Sequence, residues 1–229
     1  MMAQQKILRR FAKWHIWLGW LIGVPILMWT VTGLIMVWQP IEYVRGNHLR
    51  AETPAIQTAQ IALPTEDVGD VSGFTLQHQL DGPVWIVTRE DGGRTRYSAQ
   101  DGLRIGSVGK DEARLIAQAI YTGAGTLDTL TQFADDEAPM DLRIRRPSWQ
   151  ASYSDGTHVY LDQITGEVLA VRSGWWRIFD FVWGLHIMDL QDRENTSHPI
   201  LIIFAALSAI GSLLGCALMF RRRKARVKA

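Results

Sequence analysis

Residues 14–38 read WHIWLGWLIGVPILMWTVTGLIMVW, without one Asp, Glu, Lys or Arg. As a helix at about 1.5 Å per residue these 25 residues are about 37 Å long, more than the roughly 30 Å of a bilayer's hydrocarbon core. A second charge-free run follows from Pro199 to Phe220. Each run is flanked on its chain-terminal side by cations: Lys6, Arg9, Arg10 and Lys13 before the first, Arg221, Arg222, Arg223, Lys224, Arg226 and Lys228 after the second. The positive-inside bias then places both ends in the cytoplasm. A cleavable signal peptide is excluded for the first run by length and by the absence of an A-x-A-like site, so it reads as an uncleaved anchor. Two buried helices of a soluble protein are the competing account.

Working outward, the formal net charge of +1 conceals a segregation. Residues 40–199 hold all 23 Asp and Glu against 14 of the 24 Lys and Arg, a net of −9. The organisation that follows is a basic tail (1–13), a transmembrane helix (14–38), an exported domain (40–174), an interfacial amphipathic helix (175–190), a second transmembrane helix (199–220) and a basic tail (221–229). The only cysteine, Cys216, lies in the second run, so the exported domain has no disulfide, no thiol nucleophile and no C-x-x-C-H. No G-x-S-x-G, H-E-x-x-H, P-loop or G-x-G-x-x-G pattern is present, and topology explains the basic tails without nucleic acid.

The exported part reads as an α+β module with an internal repeat. In the first copy Trp85 precedes Asp91 by six residues and Gly102 by seventeen; in the second, Trp149 stands in the same relation to Asp155 and Gly166, an offset of 64. Asp-Gly between β-prone runs signals a hairpin, because the turn needs φ > 0. Tyr97 and Tyr160 fall on the return strands. Lys110–Tyr121 places Ala113, Ile116, Ala117 and Ile120 on one helical face, and Pro54–Leu63 is a weaker helical counterpart before the first hairpin. Asp135-Asp136-Glu137 reads as a solvated loop.

These features resemble the PepSY-associated transmembrane family. Both copies resemble the PepSY module, a helix followed by W-x5-D-G…Y…G. His15, Trp17, Gly19, Thr32 and Gly33 are similar to the family's H-x-W-x-G…T-G signature. The G-L-H at Gly184-Leu185-His186 is similar to the family's L-H-T-G motif, from which the chain departs at Ile187-Met188. The fold this implies is membrane α plus α+β: two transmembrane helices carrying a periplasmic tandem PepSY-like domain, in a bacterial inner membrane.

The resemblance also bears on the histidines near the membrane: His15, His186 and His198. Family members include haem-binding ferric-siderophore reductases, which implies haem b as cofactor, His15, His186 and His198 as cofactor-binding residues, His15 and His186 as iron ligands, and oxidoreductase activity if the protein is an enzyme. An interfacial imidazole in an aromatic belt is the plainer account of His15, and a polar cap that of His198. His186 and Asp189, three apart, would share a helical face, so the carboxylate would orient the imidazole or form an ordinary ion pair. Ligands at opposite membrane faces cannot grip one haem, whereas a homo-dimer or hetero-oligomer would pair them. Gly19 and Gly23, and Gly211 and Gly215 with Ser208 and Ser212, give the small-xxx-small spacing for such pairing or for packing within one chain. The expected partners are membrane lipid, a second set of helices and a ferric siderophore. The alternatives are a membrane-anchored binding or regulatory module of the protease-regulating PepSY type, with a strand edge open to β-augmentation, or an accessory subunit of a larger complex.

Overall fold

The computed structural model describes residues 2–226, and their side chains except at 2–5, 8 and 221–226; the cations predicted from Arg221 to Lys228 lie outside the described side chains. The chain forms two compact units, one from the two chain ends up to Gln39 and from Ile178 onward, the other Pro40–Arg177.

The first unit is built on α1 (Met2–Trp38), unbroken through Pro25, and α5 (Pro199–Arg226). Their membrane-length apolar stretches are Arg9–Trp38 and Pro199–Phe220, of which only 11% and 6% are buried inside the protein. Helices apolar on every side yet left uncovered fit lipid, not a soluble core. The small residues divide by function. A Cβ on Gly211 would stand 2.9 Å from Ile22, and one on Gly215 would stand 2.9 Å from the His15 ring, so these glycines let α1 close on α5. Gly19 and Gly23 have open space above them. A further helix, α4 (Gly174–His186), enters this unit after Arg177.

The second unit begins with a one-turn helix, α2 (Ile41–Val44), and holds two four-stranded antiparallel meanders. The first is β1 (Val71–Gln79), β2 (Gly82–Arg89), β3 (Arg94–Ser98) and β4 (Arg104–Ile105); the second is β5 (Leu127–Phe133), β6 (Ser148–Tyr153), β7 (His158–Asp162) and β8 (Val168–Arg172). The 64-residue offset is visible in the geometry. Gly92 and Gly156 take φ of +82° and +78° at the hairpin turns, where Asp91 accepts the Gly93 amide at 2.7 Å and Asp155 the Thr157 amide at 2.9 Å. Ser98 Oγ and Asp162 Oδ1, again 64 apart, cap the next turn by accepting amides of Gln100 and of Ile164. Even the ladder irregularities coincide, opposite Thr88–Arg89 and opposite Ser152–Tyr153.

Between the copies lies α3 (Lys110–Ile120), which covers the second sheet. Ala113, Ile116 and Ala117 meet Trp149, Ala151, Val159 and Leu161 in the principal core, and each fully buried Val or Leu there is worth about 1.5–3 kcal/mol. The first sheet has no such helix. The predicted helix Pro54–Leu63 is instead extended chain with one 3-10 turn at Thr58–Gln60. Pro54 and Pro64 turn the residues before them away from helical angles, and Ile56, Ile61 and Leu63 do not make a helical stripe. The segment lies on the sheet as a strap: the Ala62 amide donates to Ala99 O at 2.8 Å, and Ala62 O accepts the Trp85 indole N–H at 2.8 Å.

Both tyrosines lie on the return strands, as read from the sequence, but on opposite faces. Tyr97 pairs with Trp85 on the strapped face, whereas Tyr160 pairs with Gln150 on the face away from α3. The true counterparts of His158 and Tyr160 are Arg94 and Arg96. Asp135, Asp136 and Glu137 are exposed, as read from the sequence.

Candidate functional site

The histidine ending α4 is held by a local turn and by α1. The Asp189 amide donates to Gly184 O at 3.0 Å and the Met188 amide to Leu185 O at 3.2 Å. This is a Schellman closure, whose residue after the cap is left-handed and commonly Gly. Here Met188 takes that place at φ +58°, at a cost of roughly 1 kcal/mol. The chain then folds back over Gly184, where a Cβ would stand 2.9 Å from Asp189 O and 2.8 Å from Arg193 Cγ. The return is locked by the Arg193–Asp180 ion pair at 2.6 Å and by the Trp183 indole N–H donating to Arg193 O at 3.0 Å.

The Asp189 carboxylate belongs to this return loop. It accepts backbone N–H from Asn195, Glu194 and Asp192 at 3.1, 3.2 and 3.3 Å. Those bonds, that from Asn195 foremost, hold its pKa below the ordinary aspartate value against the opposing effect of burial. The predicted pairing of Asp189 with His186 is thus replaced, because the helix stops at His186 and the carboxylate turns to the backbone after it.

His186 faces α1 instead. Its carbonyl accepts the Trp29 indole N–H at 2.9 Å, and its Nδ1 lies 2.8 Å from Thr32 Oγ1. Its Cε1 lies where a Cβ on Gly33 would be 3.7 Å away, an ordinary contact. Thr32 is buried, 5% exposed, and its hydroxyl also sits 2.7 Å from Met28 O. Trp29 as anchor escaped the sequence reading, although the Thr32-Gly33 pair had marked the place.

His15 lies 17 residues before Thr32 on α1, about 25 Å along the helix. Its ring rests on Gly215, and its Nδ1 is buried without a partner. His198 precedes α5, its carbonyl accepting the Ile202 amide at 3.2 Å, and its Nδ1 is also buried without a partner. The structure thus joins His186 to Thr32 and His15 to Gly215, and no hydrogen bond among the described residues joins any two of the three histidines. No group of three His, Cys, Asp or Glu positioned for a metal occurs among the described residues.

The second unit has its own concavity, a cleft of about 750 Å³ between the end of β1 with the following Leu80, Ile116 and Ile120 of α3, and the Arg50–Glu52 segment. Arg50 donates to Val168 O there at 3.2 Å.

No curated protein and no solved structure matches the chain. The family model described as PepSY-associated TM region matches residues 5–229, and the chain belongs to that family.

Proposed function

We propose that this membrane protein is a haem-binding electron-transfer component of ferric-siderophore reduction in the bacterial inner membrane, with its PepSY domain in the periplasm. The observation that carries the reading is the seating of His186: an imidazole on a buried Thr32 hydroxyl, its carbonyl tied by Trp29, beside a membrane helix. A polar side chain so placed is costly without a role. The donor set fits haem better than a metal held by protein ligands alone, because the macrocycle would supply most of the iron's donors and the protein need add only imidazoles. His186 would hold a haem at one end of the unit. At the other end His15, with its orphaned Nδ1, is the candidate, and His198 is a further donor on the side of His186. Bound iron would take up and release one electron. Each end has one well-placed imidazole per chain, so a second copy or a related subunit would complete each pair, and the open faces of Gly19 and Gly23 are available to it.

The test is an absorption spectrum of the detergent-solubilised full-length protein. A Soret band reduced or shifted in His186→Ala and in His15→Ala is expected. A colourless protein after haem is supplied during expression would overturn the reading. The cleft of the exported unit favours one alternative, a binding or regulatory module, since β1 is an edge strand that ends in it. That reading gains if the colourless protein shows hydrogen-exchange protection of Gln77–Leu80 on adding a partner segment.

A further inference from the structure

We infer that Thr32 is a positioning residue that holds the neutral form of the His186 imidazole in its Nδ1–H tautomer, so that in that form Nε2 carries the lone pair. Thr32 Oγ1 lies 2.7 Å from Met28 O and 2.8 Å from His186 Nδ1. The hydroxyl has one proton, and a carbonyl has none to give. The short contact with Met28 O is therefore a hydrogen bond only if the Thr32 proton points to it, the back-bond that helical threonines make to the carbonyl four residues earlier. Nδ1 must then supply the proton of its own 2.8 Å contact. The reverse assignment, Thr32 donating to Nδ1, leaves two oxygens 2.7 Å apart with no proton between them. The more distant Trp29 O, at 3.2 Å, offers the hydroxyl a second acceptor on the same side and does not change the outcome.

The surroundings keep the arrangement in place. Thr32 is buried, so water does not compete for its hydroxyl. The backbone that carries the ring is fixed in place, its carbonyl bound by Trp29 at 2.9 Å. The sequence neighbour best spaced to compete, Asp189, is engaged by three backbone amides. Which ring nitrogen is left with a free lone pair is set by the hydrogen bond the other nitrogen makes. An Nε2 lone pair suits an iron or another transition-metal ligand and equally suits a proton acceptor. The tautomer stands on the contacts of Thr32 alone; its use toward haem rests on the function proposed above.

The experiment is nitrogen NMR of full-length chain carrying labelled histidine, free of bound chromophore, in lipid nanodiscs at a pH well above the ordinary histidine pKa of about 6.5. The His186 signals are identified by their loss in His186→Gln. The expected result is Nδ1 in the protonated range and Nε2 in the unprotonated range. Thr32→Ser retains this pattern, and Thr32→Val, which keeps the shape and removes the acceptor, loses it. Protonated Nε2 with unprotonated Nδ1 in the unmodified chain overturns the inference, with no variant required to fold. So does a pattern unchanged in Thr32→Val. A missing Soret band with the tautomer as expected would instead count against the haem reading alone.

Discussion

The two copies in the second unit, Pro40–Arg177, share one plan and bury it in different ways. In the second, α3 covers the Trp149 face, and residues 134–147 between β5 and β6 cover the other, placing Leu142 on Tyr160 and Ala170. In the first, β1 and β2 are joined by the two residues Leu80 and Asp81, so no such cover exists. The strap from Ala62 to Glu66 takes the place of a helix on the Trp85 face, with the Tyr97 hydroxyl donating to Glu66 at 2.8 Å. The other face is occupied by Arg94 and Arg96, where the second copy has His158 and Tyr160. Arg94 pairs with Asp162 at 2.9 Å and with Glu167, and Arg96 grips Glu112 with both guanidinium nitrogens at 2.7 and 2.9 Å. The copy without its own helix is thus fastened by charge to the copy that has one. A duplicated sequence keeps its turns while its faces diverge, because turns depend on a few local residues and faces depend on what lies against them.

The sharpest way to break this comparison is to remove the paired indoles. Trp149, 7% exposed, donates to Val108 O at 2.9 Å within the α3 core; Trp85 is only half-buried under the strap. Trp149→Ala should cost about 3–5 kcal/mol, and Trp85→Ala roughly half as much. Hydrogen exchange of β6–β7 and of β2–β3 in the solubilised full chain reads the two losses separately. Equal costs would mean that the strap buries its sheet as well as a helix does.

Next in size is the exchange of charge for aromatic burial. Arg96 is 3% exposed while Glu112 keeps contact with water, so Arg96→Met should cost about 3 kcal/mol, the low end for breaking a buried pair. Tyr160→Phe leaves the ring on Leu142 and removes only the hydroxyl that accepts from Gln150 at 2.7 Å, a loss of about 1 kcal/mol. The same exchange measurement decides. If Tyr160→Phe cost more than Arg96→Met, the first copy would owe little to its ion pairs.

How far the sequence alone reaches follows from these contrasts. The membrane spans were legible because 25 residues without a charge have few other uses in solution, and the hairpins because Asp-Gly dictates its own turn. The helix expected at Pro54–Leu63 failed because apolar content was read where the flanking prolines decide. Tyr97 and Tyr160 lie on the return strands as read, but they differ by one position in the repeat, and one residue along a strand is the opposite face. At the site, His186 could be singled out, but its partner Thr32 is 154 positions away in sequence. Asp189 was favoured on the assumption that α4 continued past His186. The left-handed turn that ends it was hidden because Met188 stands where glycine would have announced it.

A last effect comes with alkali and should fall on the second copy first. Burial pushes the Tyr153 phenol up to about 12, its hydroxyl donating to Ala117 O at 2.8 Å against α3. Tyr121, stacked on it with centroids 3.8 Å apart, is raised by burial and then by the Asp155 carboxylate, to which it donates at 2.5 Å. Tyr160 is raised by burial as well. A phenol whose pKa is raised on folding stabilises the fold fully below its unfolded value of about 10 and loses that contribution as pH climbs through the folded value. Exchange protection of β6–β7 should therefore fall between about pH 10 and 12. In the first copy only Tyr97 has a raised phenol, again chiefly by burial, so β2–β3 should weaken less over the same interval. Tyr153→Phe should flatten the alkaline loss in β6–β7 while leaving β2–β3 unchanged. A parallel fall in both sheets, flattened in both by that substitution, would show that the two copies open as one unit and that the arginine ties between them are as strong as the core beneath α3.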